Sequence, residues 1–143
     1  MELGTTSAVI TFAIELEEKA QTCYSQAQKA TVDTQILEVL QRFQKHYSKR
    51  IKRLQRFRRE LVTEMILEPI HGFNREEFEH IHQIPSKAEA PEILLALLAN
   101  EENLKKYFET ASKKLEFLPE LSDQFHLLAE DIENNIQTLK NLY

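Results

Sequence analysis

Apolar residues recur at alternating spacings of three and four along four stretches of the chain, the period of helices that bury one face. In residues 7–30 the stripe is Ile10, Ala13, Ala20, Tyr24 and Ala27. In 34–65 it is Leu40, Phe43, Tyr47, Leu54, Phe57 and Leu61. Residues 91–117 carry Ile93, Leu97, Leu104, Tyr107 and Ala111, and 120–142 carry Leu121, Phe125, Leu128, Ile132, Leu139 and Leu142. The breaks fall where the chemistry of helix ends puts them. Thr5, Thr6 or Ser7 can cap the first helix and Asp33 or Thr34 the second, while Pro91 suits a first turn. Pro69 and Gly72 end the second run, and Pro119 parts the third from the fourth. Residues 68–90 then form a long crossover with room for one short helix over 74–82. Two helical hairpins joined by a crossover describe an all-α antiparallel four-helix bundle, expected as a single domain over residues 1–143.

Each stripe is interrupted near its middle by one polar residue: Glu17, Arg50, Asn100 and Asn135. In antiparallel neighbours these four lie at similar depth. Buried polar groups are costly unless paired, so such a layer is either a satisfied network or what is left of a site.

Composition narrows the chemistry. Two glycines and four prolines in 143 residues exclude glycine-rich phosphate loops, dinucleotide fingerprints and turn-dense β sandwiches. A net charge of −5 supplies no general attraction to nucleic acid or anionic membrane. Cys23 is the lone cysteine, so neither an internal disulfide nor a zinc cluster is expected. Apolar runs such as residues 93–99 are too short to span a bilayer, and the first four residues carry no basic segment. A soluble, cytoplasmic protein is the expectation.

The two halves read as a repeat. The octet from Glu17 to Tyr24 aligns with that from Asn100 to Tyr107, and each is followed by a small residue, Ala27 or Ala111. This pattern resembles the ferritin-like superfamily, specifically the small rubrerythrin-like bundles. Their first and third helices carry a metal-binding Glu seven residues before a Tyr, and their second and fourth carry Glu-x-x-His. The resemblance implies a bundle holding two iron or manganese ions, and it also implies that this chain has lost them. The first-helix Glu falls on Glu17. The second-helix pair falls on Tyr47 and Arg50, the third-helix Glu on Asn100, and the fourth-helix pair on Ile132 and Asn135. Five of six ligands are replaced, one by a cation that repels metal ions. The expectation is therefore a buried Glu17–Arg50 ion pair in place of metal, with Asn100, Asn135 and the Tyr47 hydroxyl completing its hydrogen bonds. No catalytic residue, cofactor site or metal site is expected.

Other features of the chain offer different chemistry. A displaced iron or manganese site would draw on Glu17 with Glu101, Glu130 or His46, and would make the chain an oxidoreductase. His71, His80 and His82 sit in the crossover, where Glu77 and His80, and Glu79 and His82, have the spacing of ligands on a helix. Nine of the eighteen Lys and Arg residues lie between Arg42 and Arg59 with no acid among them. Such a face can meet nucleic acid, a phosphorylated ligand or an acidic partner, so an anion or nucleic-acid binder is a further alternative. Without interleaved aromatics on its outer side, nucleic acid is not the expected partner, and the acids of neighbouring helices, Glu15, Glu18, Glu130, Asp131 and Glu133, are expected to balance it. Phe12, Ile36, Phe108 and Phe117 lie off the main stripes; on their exposure rests an expected homodimer or small homo-oligomer, and they are also consistent with packing by the crossover. No pair of inward carboxylates for acid–base catalysis is read from the stripes, and no nucleophile motif occurs.

Overall fold

The chain leaves its extended N-terminal residues at Thr5, whose Oγ1 accepts the Ala8 N–H at 3.0 Å and so opens α1, Thr6–Ala30. Asp33 does the same for α2, Thr34–Leu61, its Oδ1 accepting the N–H groups of Gln35 at 2.9 Å and Ile36 at 3.2 Å. Prolines stand in the first turns of α3, Ala90–Lys114, and α4, Pro119–Lys140. The computed structural model describes residues 2–61 and 69–142. The expected last turn of the second helix, to Met65, and the Leu61 side chain lie outside the described residues.

The four helices form an all-α bundle of two hairpins. α1 packs on α2, α3 on α4, and α1 on α3, while α2 and α4 approach one another much less closely. The apolar stripes supply the core: Ile10, Ala13, Leu40, Phe43, Leu97, Leu104, Phe125, Leu128 and Ile132 are all buried. No described helix is long and apolar enough to cross a membrane.

Two expectations about the ends and the crossover are corrected. α3 stops at Lys114 rather than near residue 117, because Leu115 turns inward and Ser112 and Ser122 exchange side-chain-to-carbonyl hydrogen bonds of 2.8 and 2.7 Å across the α3–α4 turn. The helix expected over 74–82 is a single 3-10 turn, Arg75–Glu77. The reason is steric. Phe73 and Phe78 are both buried against Tyr107, each with ring centroids 5.3 Å away, and residues five apart on an α-helix point roughly 140° apart. The crossover is tied to the N-terminus instead, by Leu3 N–H to the Phe73 carbonyl at 2.7 Å and Ile70 N–H to the Gly4 carbonyl at 3.0 Å. Between those bonds Gly72 takes a φ of 71°, a left-handed conformation suited to glycine.

The apolar residues off the stripes are not exposed. Phe12, Ile36 and Phe108 are buried and Phe117 is half-buried. Phe12 meets Tyr107 edge-on at 5.3 Å and Phe108 meets Phe125 in the same way at 5.3 Å. With a third and fourth helix and the crossover packed around it, each helix buries a face wider than one stripe. Among the described residues the large exposed apolar side chains are Val32, Leu95 and Leu127. Three of the four side chains from which self-association was expected are consumed inside the bundle, and the fourth, Phe117, is partly so.

Candidate functional site

At mid-depth the first and second stripes bring Glu17 and Arg50 together. Arg50 Nε donates to Glu17 Oε1 at 2.9 Å and Nη2 to Oε2 at 3.3 Å, in the fork geometry of a two-point guanidinium–carboxylate pair. Glu17 is fully buried and Arg50 nearly so. The Arg50 guanidinium also lies over the Tyr47 ring, 4.3 Å from its centroid.

A second carboxylate completes this centre, and the stripe reading missed it. Glu101 is fully buried, and its Oε1 accepts the hydroxyls of both Tyr24, at 2.5 Å, and Tyr47. Its Oε2 has no hydrogen-bond partner among the described residues. The Tyr47 hydroxyl was expected to serve the Glu17–Arg50 pair and serves Glu101 instead. Asn100 is buried but stands outside the centre: its Oδ1 accepts the His82 N–H at 2.8 Å and its Nδ2 donates to the His82 carbonyl at 3.0 Å. Asn100 therefore fastens the crossover to α3, and its neighbour Glu101 faces the bundle axis. Ile132, at the fourth-helix position, is buried and apolar. One sequence signal pointed to Glu101: it falls four residues after the inward Leu97 and three before the inward Leu104. Two buried carboxyls stand here where the stripes had shown one.

Burial dominates the electrostatics. Loss of hydration pushes the Glu17 carboxyl up to about 7, against the downward pull of Arg50, and burial raises Glu101 as well. Burial by itself would lower Arg50, but its ion pair and hydrogen bond with Glu17 and the charge of Glu101 outweigh it and hold the guanidinium protonated. Burial also carries the Tyr24 and Tyr47 hydroxyls well above their ordinary value, so they act as donors at neutral pH. One cation thus stands among two acids, and the neutral arrangement is one carboxylate and one carboxylic acid titrating as a unit. Such a centre does not fit a di-metal pair, because a fixed guanidinium occupies the carboxylate on which an ion would bind. Among the described residues no three His, Cys, Asp or Glu side chains gather closely enough to hold an ion.

Asn135 belongs to a different feature. Its Oδ1 lies 3.2 Å from His46 Nδ1, and its buried Nδ2 has no hydrogen-bond partner among the described residues. It forms a wall of a cleft of about 300 Å³ that opens along the loosely closed α2–α4 seam, with His46, Lys49, Arg50 and Arg53 on one side and Asp131 on the other.

The remaining candidates disperse. Glu130 is exposed and pairs with His126 at 3.0 Å. His71 is exposed, 3.8 Å from Glu2. The His80 and His82 rings meet at 4.9 Å, but the crossover is not helical there, so the expected ligand spacing with Glu77 and Glu79 is lost. Cys23 is buried, its thiol directed at the His82 carbonyl at 3.4 Å and pushed up by burial, which leaves it unreactive. Three of the five acids expected to balance the basic stretch are engaged elsewhere, Glu15 with Arg75 at 3.1 Å, Glu133 with Lys105 at 2.9 Å and Glu130 with His126, while Asp131 faces the stretch across the cleft. Among the described residues Arg50 is the one cation between Arg42 and Arg59 that forms an ion pair. Compared with protein-family models, curated proteins and solved structures, the chain finds no match.

Proposed function

We propose that this chain is a non-catalytic binding or structural protein, a rubrerythrin-like bundle of the ferritin-like type in which Arg50 has taken the place of the di-metal pair. One observation carries this reading: Arg50 grips both oxygens of Glu17 at 2.9 and 3.3 Å, inside the core and at the depth where the helix stripes converge. An arginine stays charged at any ordinary pH, so it compensates buried carboxylates permanently where metal ions would do so reversibly. Glu101, held by two tyrosine hydroxyls, shares the same cation. The centre then stabilises the bundle and performs no chemistry.

The competing oxidoreductase reading needs Glu17 joined by Glu101, Glu130 or His46. Glu101 does reach the centre, but Glu130 is exposed on His126 and His46 is turned to Asn135. The lone, buried Cys23 is in keeping with a reducing, cytoplasmic compartment. The surface offered to partners is the basic side of α2 rather than an apolar patch, which favours an acidic partner or an anionic ligand over a second copy.

Metal analysis after iron and manganese loading tests the reading. Essentially no bound metal is expected, and about two equivalents per chain, the content of the di-metal centres that this one resembles, would overturn it.

A further inference from the structure

We propose that the α2–α4 cleft is a binding site for a phosphate-type oxyanion, free or as the phosphoryl group of a small molecule. The proposal rests on the binding reading above and names its ligand. His46, Lys49, Arg50 and Arg53 follow one another at i, i+3, i+4 and i+7, so α2 presents them to the cleft as one face. Lys49 has no carboxylate within ion-pair distance among the described residues, and Arg53 is held by a neutral group, Gln124 Oε1 at 2.5 Å. Both keep their full charge for a ligand. Arg50 forms the floor, its charge already matched by Glu17. Asp131 on the opposite rim subtracts one charge and leaves the cleft net positive.

Asn135 supplies the second, independent indication. A buried amide N–H is nearly always given a partner, because leaving it without one forfeits the hydrogen bonds it had in water. Asn135 Nδ2 is such an orphan, only 3 % of its residue is exposed, and it stands in the wall of this cleft. His46 holds the amide through Oδ1, which fixes Nδ2 on the other branch of the fork. An oxyanion seated between Lys49 and Arg53 has acceptor oxygens to spare for that donor. Two cations without a carboxylate partner, with one oriented neutral donor, suit a tetrahedral anion better than a flat, uncharged ligand. The volume, about 300 Å³, lies at the small end of ligand pockets and admits a phosphoryl group with a short organic body.

The experiment titrates inorganic phosphate, and separately glycerol 2-phosphate, into the full chain at constant ionic strength, by calorimetry and by amide chemical shifts. Saturable binding is expected, with shifts at Asn135 and along residues 46–53. Lys49→Ala and Arg53→Ala should each weaken it about tenfold, the loss of one charge-assisted contact. Lys45→Ala and Arg56→Ala, on the same helix outside the cleft, should change it less than about twofold, as screened charges do. Asn135→Leu should weaken binding about tenfold, since it removes the donor that the oxyanion would pair. Tighter glycerol 2-phosphate supports the site with a phosphorylated small molecule as its ligand, and equal or tighter phosphate supports it with the free ion. Absent saturable binding overturns the proposal. So does an equal loss in the cleft and control variants, or unchanged affinity in Asn135→Leu. None of these outcomes bears on metal content, so the site and the metal-free reading fail separately.

Discussion

Replacing Arg50 by methionine removes the one cation from a centre that holds two buried carboxyls. In the charge-neutral arrangement of the native centre, one of them is ionised opposite Arg50 and the other carries a proton. Without Arg50 both must be neutral, and the bundle has to bind one further proton. Taking that proton from solution at pH 7 by a carboxyl of ordinary pKa 4.5 costs about 3 kcal/mol, at about 1.4 kcal/mol per pH unit. At pH 5 the same step costs below about 1 kcal/mol. Loss of the two guanidinium hydrogen bonds adds to this, and relief of Arg50 desolvation subtracts from it, so the net cost at pH 7 is about 3–5 kcal/mol. For a chain of this length that is a fall in Tm of roughly 10 °C or more. The assay is urea denaturation of wild type and Arg50→Met at pH 5 and pH 7. The gap between the two proteins should widen by about 3 kcal/mol from the lower pH to the higher. Equal stability at pH 7, or a gap independent of pH, would refute the one-cation, two-acid account.

Three further expectations follow from the same geometry. Because the folded pKa of Glu17 is raised from 4.5 to about 7, its contribution to stability is greatest below 4.5 and is lost as pH rises through 7. Glu17→Gln, which leaves Glu101 alone to match Arg50, should flatten that slope and cost less at pH 7 than Arg50→Met; a steeper slope in chemical denaturation would contradict this. Tyr47→Phe and Tyr24→Phe each remove one hydroxyl from Glu101 Oε1. Each should lower the unfolding free energy by about 1.5–3 kcal/mol, and the double variant by more than the sum, with a change below about 0.5 kcal/mol arguing that Glu101 does not depend on them. Gly72→Ala should cost about 1 kcal/mol from the left-handed φ of 71° alone, since the added methyl would meet only Lys114 Nζ at 3.5 Å; an unchanged Tm would show that the crossover turn relaxes freely.

Much of the centre was legible in the chain. A polar residue at the seventh place after an inward isoleucine or phenylalanine stands out against an apolar period, so Glu17 and Arg50 could be paired before any coordinates. Glu101 could not be assigned the same way. Adjacent helical residues point about 100° apart, and a helix packed on two sides buries an arc wide enough to include both. Periodicity alone left Asn100 and Glu101 each eligible for the axis. The crossover decided between them, since His82 presents a backbone N–H and carbonyl that an amide can satisfy together and a carboxylate cannot. The cleft was half legible. The basic run of α2 was plain, but its opening toward Asn135 depends on how far α4 stands from α2.

The number of helices, their approximate ends and their inward stripes follow from sequence, because caps, prolines and a 3.6-residue period act within a few residues of one another. Tertiary structure alone decided the exposure of Phe12, Ile36 and Phe108, the irregular path of residues 74–82 and the company kept by Arg50. These depend on groups brought together from distant parts of the chain. Local hydrogen bonding sets where a helix lies, but the free energy of a buried charge is set by its neighbours in space, and those are known only once the helices have packed.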